Sequence, residues 1–191
     1  MTTYKERISC ESCGHTEFDV IFDFGEVPLA GSFPKEPDAK INSYPLKIIK
    51  CKHCGLVQTN VLIPPKTLFK DYRYISSVGM QNHFNSFADW LVRTQKITPN
   101  SKVLEFGCND GPLLDALKYR GIHNTIGVDP ATNIVELGRK KSLDIIDDFF
   151  DYNFAKDRGW DNKFDLILAS NTFAHIQDIN SVIKGVHYSL K

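Results

Sequence analysis

The chain has 191 residues, and 23 lysine and arginine residues balance 23 aspartate and glutamate residues, so the formal net charge is zero. This balance gives no reason to expect a nucleic-acid partner or an anionic membrane surface. The start, MTTYKERISCESC, lacks the apolar core of a signal peptide, and no stretch approaches the roughly 18 apolar residues of a membrane span. We therefore expect a packed cytoplasmic protein, either one domain or a small module with part of a larger one.

The first part of the chain, residues 1–65, is rich in turn-forming residues and has no helical periodicity longer than one or two turns. Within it, SYPLKIIKC and GLVQTNVLI predict two short strands. Residues 66–100 form an aromatic connector followed by an amphipathic helix, which we place from Gln81 to Lys96 and which ends before Pro99. The remaining part, residues 101–191, has a different pattern.

From Ser101 onwards, predicted strands alternate with predicted helices. The strands are KVLEF, NTIGVD, LDIID and FDLILAS, and the helices include PLLDALKYR and the segments around Val135 and Val182. Such alternation is typical of a parallel sheet with helices on both faces. Because FDLILAS has the composition of a buried strand and not of an edge strand, we expect more sheet to follow it, as in a fragment of a longer protein.

Four of the five cysteines form two C-x-x-C pairs, CESCG and CKHCG. Four thiolates complete a tetrahedral zinc shell with no open position, so the pattern predicts a structural metal site. The alternatives are a redox motif, which would normally begin a helix beside a strand, and four unmetallated thiols. His15 and His53 are near enough in sequence to compete as ligands. The predicted ligands are Cys10, Cys13, Cys51 and Cys54.

A glycine-bearing segment, VLEFGCNDG, follows the first strand of the second half and begins a helix. Gly107 and Gly111 leave bare backbone at a helix N-terminus, where the charged end of a ligand can approach. Asp129 ends the second strand, where a carboxylate can accept both ribose hydroxyls of an adenosine ligand, and Glu105 ends the first. We predict an adenosyl site with a carboxylate and ammonium tail. A dinucleotide site, or ordinary turn glycines beside a helix-capping Asp129, are the alternatives.

An ordered set of segments runs through the chain: CESCG, FGEVPLAGSF, YPLKIIKCKHCGLVQ, LFKDYRYISS, VLEFGCNDGPLL, VDPATN and ASNTFAHI. In this the chain resembles the S-adenosyl-L-methionine (SAM)-dependent sugar C-methyltransferases with an N-terminal zinc-binding domain, which act on nucleotide-linked keto-deoxysugars. The resemblance implies an α/β fold, namely a partial Rossmann-like class I methyltransferase sheet preceded by a small zinc-binding, β-rich module. It also implies a small-molecule substrate and no nucleic-acid or membrane partner.

The resemblance further implies roles for particular residues. The four paired cysteines would bind zinc, His175 would lie in the active site, and Tyr72 or Tyr74 would reach the cofactor or sugar. Packing of the two tyrosines and helix capping by His175 are the structural alternatives. The residues implied to hold SAM are Glu105, Gly107, Asn109, Gly111 and Asp129, with Asp148 and Phe149 near the adenine and Asn171 after the fourth strand.

The implied reaction begins when a base removes a proton beside a sugar ketone, and the resulting carbon nucleophile takes the methyl group. His175 would be that base or would stabilise the enolate oxygen. The family also has a later tyrosine, glutamate and histidine cluster and a C-terminal domain, both beyond the residues of this sequence. A zinc- and SAM-binding module without turnover, and methylation of another small molecule, are therefore the alternative functions.

Overall fold

A computed structural model describes residues 4–30, 32–34, 36, 38–69 and 72–191. The chain divides into two compact units, residues 1–68 and 69–191. The three-part division expected from sequence, with boundaries near residues 65 and 100, stays a prediction. Among the described residues, no helix combines the length and apolar character that are needed to cross a bilayer.

The first unit consists of short antiparallel strands. β1 pairs with β5, while β2, β3 and β4 form a three-stranded sheet in that order. A five-residue helix, α1, follows the strands. The elements are β1 (Lys5–Glu6), β2 (Phe18–Pro28), β3 (Ser43–Cys51), β4 (Val57–Thr59), β5 (Val61–Leu62) and α1 (Pro65–Phe69).

The segment GLVQTNVLI is two strands and not the single strand that its sequence predicts. Asn60 separates β4 from β5, and its side-chain oxygen accepts the Lys47 backbone N–H at 2.6 Å. The Asn60 backbone N–H donates to the Lys47 carbonyl at 3.0 Å, and its carbonyl accepts the Arg7 backbone N–H at 2.8 Å. Asn60 therefore contacts both sheets of this unit. The segment GLVQTNVLI can pair with β3 before Asn60 and with β1 after it.

Strand β2 was not predicted, although Phe18, Val20, Phe22 and Phe24 fall at alternate positions of its sequence. Val20, Ile21, Phe22 and Phe24 are each more than half exposed. The buried apolar residues of this unit are few for its length, and apart from the cysteines they are Tyr44, Ile49, Val61 and Ile63. Units of this size are only marginally stable, so such a small core needs a further source of stability, such as a bound metal.

The second unit contains a four-stranded parallel sheet with strand order β8-β7-β6-β9. All four predicted strands are present, at somewhat shorter lengths than expected. The register sets Phe106 opposite Val128 and Asp129 opposite Asp147, so the acidic residues finish neighbouring strands at the same edge. The strands are β6 (Val103–Phe106), β7 (Thr125–Asp129), β8 (Ile145–Asp147) and β9 (Leu166–Leu168).

Helices cover both faces of this sheet, as the alternation predicted. The helix α2 begins earlier than its periodicity indicates and is kinked at Val78 and Gly79, where glycine has a φ of 77°. The sequence analysis missed α5, a helix of six residues, and a short 3-10 turn at Phe173–His175. The helices are α2 (Ser77–Thr94), α3 (Pro112–Tyr119), α4 (Thr132–Lys140), α5 (Tyr152–Asp157) and α6 (Ile179–Ser189).

The alternation of side chains along β6 divides the core in two. Val103 packs on one face with a cluster from α2 and α3 that includes Leu91 and Leu117. Leu104 and Phe106 point to the other face, where Phe150, Phe154, Trp160, Phe164 and Val182 form the second cluster. Glu105, which has the same parity as Val103, is the charged residue in this otherwise apolar strand, and it is also completely enclosed.

Candidate functional site

The four predicted zinc ligands lie together in the first unit. The Cys10 and Cys54 sulfurs are 3.6 Å apart, as are those of Cys13 and Cys51, and all four sulfurs lie within 4.8 Å of one another. Zinc–sulfur bonds of about 2.3 Å in a tetrahedron require sulfurs roughly 3.8 Å apart, so the arrangement fits this metal. The rings of His15 and His53 instead stack on each other, with centroids 5.4 Å apart.

Two tight turns aim these thiols. Each turn closes with a backbone hydrogen bond from the following glycine to the first cysteine: Gly14 N to the Cys10 carbonyl at 2.9 Å, and Gly55 N to the Cys51 carbonyl at 3.0 Å. Both glycines have left-handed φ angles, 73° and 78°, which a residue with a side chain adopts only with strain. The C-x-x-C-G pattern thus has a conformational cause.

The thiol pKa values also indicate a need for a cation. Burial opposes ionisation of Cys10, but backbone N–H groups and the Cys54 side chain outweigh it and lower its pKa to about 6. The His15 N–H favours ionisation of Cys13, yet desolvation and the three neighbouring sulfurs outweigh that contact and raise its pKa to about 12. A divalent cation such as zinc among the sulfurs would favour the thiolate form of all four.

In the second unit, the glycine loop follows β6 as predicted. The space that a side chain would take at Gly107 or Gly111 is filled by other side chains of the protein. A Cβ on Gly107 would lie 2.0 Å from the Thr172 hydroxyl oxygen, and one on Gly111 would lie 2.6 Å from a Leu143 methyl. The glycines therefore allow close packing of the loop against its neighbours. That the backbone of this loop also faces the charged end of a ligand stays a prediction.

Asp129 lies where the sequence placed it, at the carboxyl end of β7. One of its oxygens accepts the Asn109 N–H at 2.8 Å, and the other accepts the Ala131 N–H at 2.9 Å. Burial raises its pKa, nearby Asp147 adds to that effect, and the two N–H donors oppose it. A carboxylate has about four acceptor positions, so two remain for hydroxyl groups of a ligand.

Glu105 lies near the carboxyl end of β6, two residues before Gly107, and is 2% exposed. Its Oε2 has no hydrogen-bond partner within the described part of the chain. Burial raises the pKa of Glu105 to about 8, repulsion from Asp129 adds to the rise, and a hydrogen bond from the Ser170 side chain opposes it. A buried carboxyl group with a free oxygen is costly unless a donor or cation meets it. This feature fits a ligand that carries an ammonium group.

Asn109 has a different set of contacts from the one predicted. Its φ is 54°, its side-chain oxygen accepts the Ser76 N–H at 2.8 Å, and its amide donates to the Tyr74 carbonyl at 3.0 Å. The side chain is thus turned towards the connector, while the backbone N–H is turned towards Asp129. Sequence reasoning had no signal for this contact, because it joins residues 33 to 35 positions apart.

The predicted catalytic residues meet through a residue that the sequence analysis did not assign. Phe69 lies between two of them, with its ring centroid 6.1 Å from that of Tyr72 and 6.4 Å from that of His175. His175 is exposed on the 3-10 turn after β9, and the Tyr74 side chain is 54% exposed.

The remaining predicted residues lie in loops after β8 and β9. Asp148 is exposed and accepts the Phe149 N–H through its own side chain at 2.8 Å, while Phe149 is half-buried. Asn171 is exposed and has a φ of 54°. These loops follow the two outer strands of the sheet, at the carboxyl edge where parallel α/β sheets bind ligands.

Comparison with known proteins agrees with this architecture. Residues 66–191 match a family described as "Methyltransferase domain", and residues 10–69 match one described as "Putative zinc binding domain". A C-methyltransferase, NovU of Streptomyces niveus, is 31% identical over 182 residues, which are 93% of this chain and 43% of that protein. The chain therefore spans less than half the length of this curated relative.

One solved structure has the same fold at low identity, and a second is similar over part of its length. A protein of Methanococcus maripaludis described as a "putative s-adenosyl-l-methionine-dependent methyltransferase" is 17% identical, with 61% of this chain and 55% of that chain aligned and a TM-score of 0.50. Magnesium protoporphyrin IX methyltransferase of Synechocystis, with bound SAM, is 19% identical over 60% of this chain and 56% of that chain, at a TM-score of 0.47.

The parallel sheet, the glycine loop after its first strand and the acid after its second define a class I SAM-dependent methyltransferase fold, here preceded by a four-cysteine unit. Since the matched methyltransferase domain covers residues 66–191, well over half of the chain, this chain belongs to that methyltransferase-domain family. Both the fold class and the cysteine cluster predicted from sequence are confirmed.

Proposed function

We propose that this chain binds SAM at the carboxyl edge of β6, β7 and β8, and that the protein to which it belongs is a C-methyltransferase. The observation that carries the proposal is the convergence of Glu105 and Asp129 at the ends of adjacent buried strands, on either side of the glycine loop. The free, buried Glu105 oxygen suits the ammonium group of the ligand. The two unused acceptor positions of Asp129 suit the ribose hydroxyls.

The other parts of the cofactor have candidate partners among the predicted residues. Asp148 and Phe149 would flank the adenine after β8, with a carboxylate for its amino group and a ring for its face. Gly107, Gly111 and Asn109 would shape the floor of the site, and Asn171 would lie at the side where the methyl group is transferred. When bound, SAM supplies an activated methyl group, so the chain needs only to orient it and exclude water.

For the zinc ion, we propose the ligands Cys10, Cys13, Cys51 and Cys54. The sulfur separations given above fit a closed tetrahedral shell, which would make the ion structural and not catalytic. Its task would be to hold together a unit whose apolar core is small. The thiol pKa pattern supports this assignment, because a divalent cation removes the repulsion that holds Cys13 protonated.

For the acceptor, we propose a nucleotide-linked keto-deoxysugar. The support is the ordered set of motifs that the chain has in common with sugar C-methyltransferases and its 31% identity to a C-methyltransferase. A base would remove the proton on the carbon beside the ketone, and that carbon would form the new bond to the methyl group as the sulfur leaves. His175 would accept the proton or stabilise the enolate oxygen, and Tyr72 would help to orient the sugar.

The test is a binding cycle between Asp129 and the ribose hydroxyls. Calorimetry measures S-adenosylhomocysteine (SAH), its 2′-deoxy form and its 3′-deoxy form with wild-type protein and with Asp129→Ala. We expect Asp129→Ala to weaken SAH binding roughly 10- to 150-fold, the range for a hydrogen bond to a charged group. The deoxy forms should lose affinity for wild-type protein but show little further loss with the variant.

Because Asp129 also anchors Asn109 and Ala131, a structural loss has to be separated from a lost contact. Thermal unfolding checks the fold, and Asp144→Ala removes an exposed acid at the opposite edge of the same sheet. The cycle distinguishes the cases, because a purely structural effect would leave the deoxy penalties unchanged in Asp129→Ala. A folded, zinc-loaded wild-type protein that ignores both SAM and SAH would end the proposal. Mass-spectrometric methyl transfer to keto-sugar nucleotides then tests the substrate assignment.

A further inference from the structure

A short segment of the second unit, residues 72–77, is held by side chains from elsewhere in the sheet domain. We name this segment the strap. Asn133 makes two hydrogen bonds to one residue of the strap: its side-chain oxygen accepts the Tyr72 N–H at 3.1 Å and its amide donates to the Tyr72 carbonyl at 2.7 Å. Asn109 binds the strap in the same two-sided way, through the Ser76 N–H and the Tyr74 carbonyl.

Asp110 fastens the end of the strap to the glycine loop. Its carboxylate accepts the Ser77 N–H at 3.1 Å and is paired with Lys141 at 2.7 Å, while being 1% exposed itself. Ser77 is the first residue of α2, and Ser76 makes no side-chain capping hydrogen bond. Asp110 therefore fixes the chain just before the kink at Val78 and Gly79.

The strap depends on these polar contacts because none of its residues is fully buried, although Tyr72 and Ile75 are half-buried. Tyr74 is 54% exposed and Val78, just beyond the strap, is 71% exposed. A segment held mainly by side-chain-to-backbone hydrogen bonds opens at a lower free energy than one held by a core. The strap is consequently the part of this site whose position a ligand can most readily shift.

Asn109 joins the strap to the proposed ribose acceptor. Its side chain holds Tyr74 and Ser76, and its backbone N–H donates to Asp129 at 2.8 Å. A ligand that engages Asp129 fixes Asn109, and Asn109 in turn holds the strap. On the other side, Phe69 contacts both Tyr72 and His175, so the position of the strap also sets the surroundings of the proposed base.

We propose that Asn133 and Asn109 are positioning residues that hold the strap over the glycine loop, and that adenosyl binding and strap closure are thereby coupled. The inference rests on the proposed function, since it concerns the same cofactor site. Coupling is reciprocal: if SAH binds the closed strap better than the open one by some factor, bound SAH must stabilise the closed strap by the same factor, and a variant in which the open strap is populated must bind SAH more weakly.

The experiment combines hydrogen exchange with calorimetry. In wild-type protein we expect SAH to slow exchange of the amides of Tyr72, Ser76 and Ser77. Asn133→Ala should speed their exchange without ligand and weaken SAH binding about 5- to 30-fold, because two hydrogen bonds to Tyr72 are lost. Asn133→Asp keeps the acceptor but loses the donor, and it should fall between wild type and Asn133→Ala.

Asn133 is exposed, so its replacement leaves the core intact, and a thermal unfolding curve verifies this. The matched control is Asn153→Ala, which removes the same side chain from an exposed position on α5. That control should bind SAH as wild type does and leave strap exchange unchanged.

The outcomes separate the two proposals. If wild-type protein binds SAH and Asn133→Ala binds it equally well, or if SAH leaves strap exchange unchanged, the coupling is refuted while the adenosyl site stands. If the folded wild-type protein fails to bind SAH, both proposals are refuted. Weaker binding by Asn133→Ala together with faster strap exchange supports the positioning role, since a residue without that role would change neither.

Discussion

Glu105→Gln is the substitution for which the structure gives the largest pH-dependent effect. The carboxyl group is 2% exposed, and its Oε2 has no partner among the described residues. Burial, helped by the charge of Asp129, raises its pKa from 4.5 to about 8. Glutamine has nearly the same shape but cannot ionise, so the variant removes the titration and leaves most of the packing.

The direction in which stability changes with pH depends on whether the folded or the unfolded state retains the Glu105 proton. Between pH 4.5 and about 8 the unfolded chain releases the Glu105 proton while the folded protein retains it, so rising pH lowers the free energy of the unfolded state relative to the folded state and destabilises the fold. The destabilisation is absent below pH 4.5 and complete above about pH 8. At about 1.4 kcal/mol for each pH unit of difference, its ceiling is roughly 5 kcal/mol, and we expect about 2–4 kcal/mol between pH 5.5 and 8.

Urea unfolding of the ligand-free protein at pH 5.5 and pH 8 measures this effect. Trp90 and Trp160 both lie in the second unit, so their fluorescence reports on that unit and not on the zinc cluster. Wild-type protein should lose about 2–4 kcal/mol more stability over this pH interval than Glu105→Gln. The exposed Asp144→Asn serves as the control and should follow wild type. Equal losses in wild type and Glu105→Gln would refute the reasoning.

Two further predictions concern the zinc site of the first unit and the packing of α5 against α6 within the second unit. Chelation of zinc, or Cys51→Ser, should unfold the first unit, measured as loss of slow hydrogen exchange in β3, while tryptophan fluorescence stays unchanged; joint loss of both signals would contradict this. Gly185→Ala should destabilise the second unit by about 1–3 kcal/mol in urea, because its Cβ would lie 2.8–3.0 Å from backbone atoms of Asp151 and Tyr152; an unchanged midpoint would show that α5 and α6 separate without cost.

Much of the second unit could be predicted from sequence, because buried parallel strands carry their signal locally. β6 and β7 are short and mainly apolar, and the positions of Glu105 and Asp129 near their carboxyl ends follow from the alternation of strand and helix. The helix α5 was missed because six residues are too short for a periodic pattern. Its start does carry a local signal, since Asp151 accepts the Phe154 N–H as an N-cap at 2.8 Å.

The first unit was harder to predict, because there the determinants of structure are not apolar periodicity. The cysteine spacing identified a metal cluster at once, since ligand geometry constrains sequence tightly. Strand β2 was overlooked, although Phe18, Val20, Phe22 and Phe24 alternate along it and, up to Phe24, only Ile21 is out of pattern. Its pairing with β3 depends on backbone hydrogen bonds and on bulges near Phe22 and Glu26, which the side-chain pattern does not encode.

In the site, the acids could be predicted but the contacts between distant segments could not. Asn133 is part of VDPATN, and the sequence offered no reason to assign it a task. Only the fold brings it to Tyr72, 61 positions away. Phe69 is a similar case, because an aromatic residue in a connector is ordinarily expected only to pack. Its closeness to both Tyr72 and His175 depends on the connector meeting the 3-10 turn after β9.

The glycines explain why loop and strap should behave differently. A Cβ on Gly111, Gly127 or Gly138 would lie 3.2 Å or less from the Ile145 side chain, so all three allow β8 and its neighbours to close tightly on the glycine loop. Interiors packed in this way have few alternative arrangements, which makes the loop a fixed floor. The strap is held by polar contacts and has no fully buried residue. A rigid glycine loop beside a segment that can open would allow the cofactor to enter and then to be oriented, as methyl transfer requires.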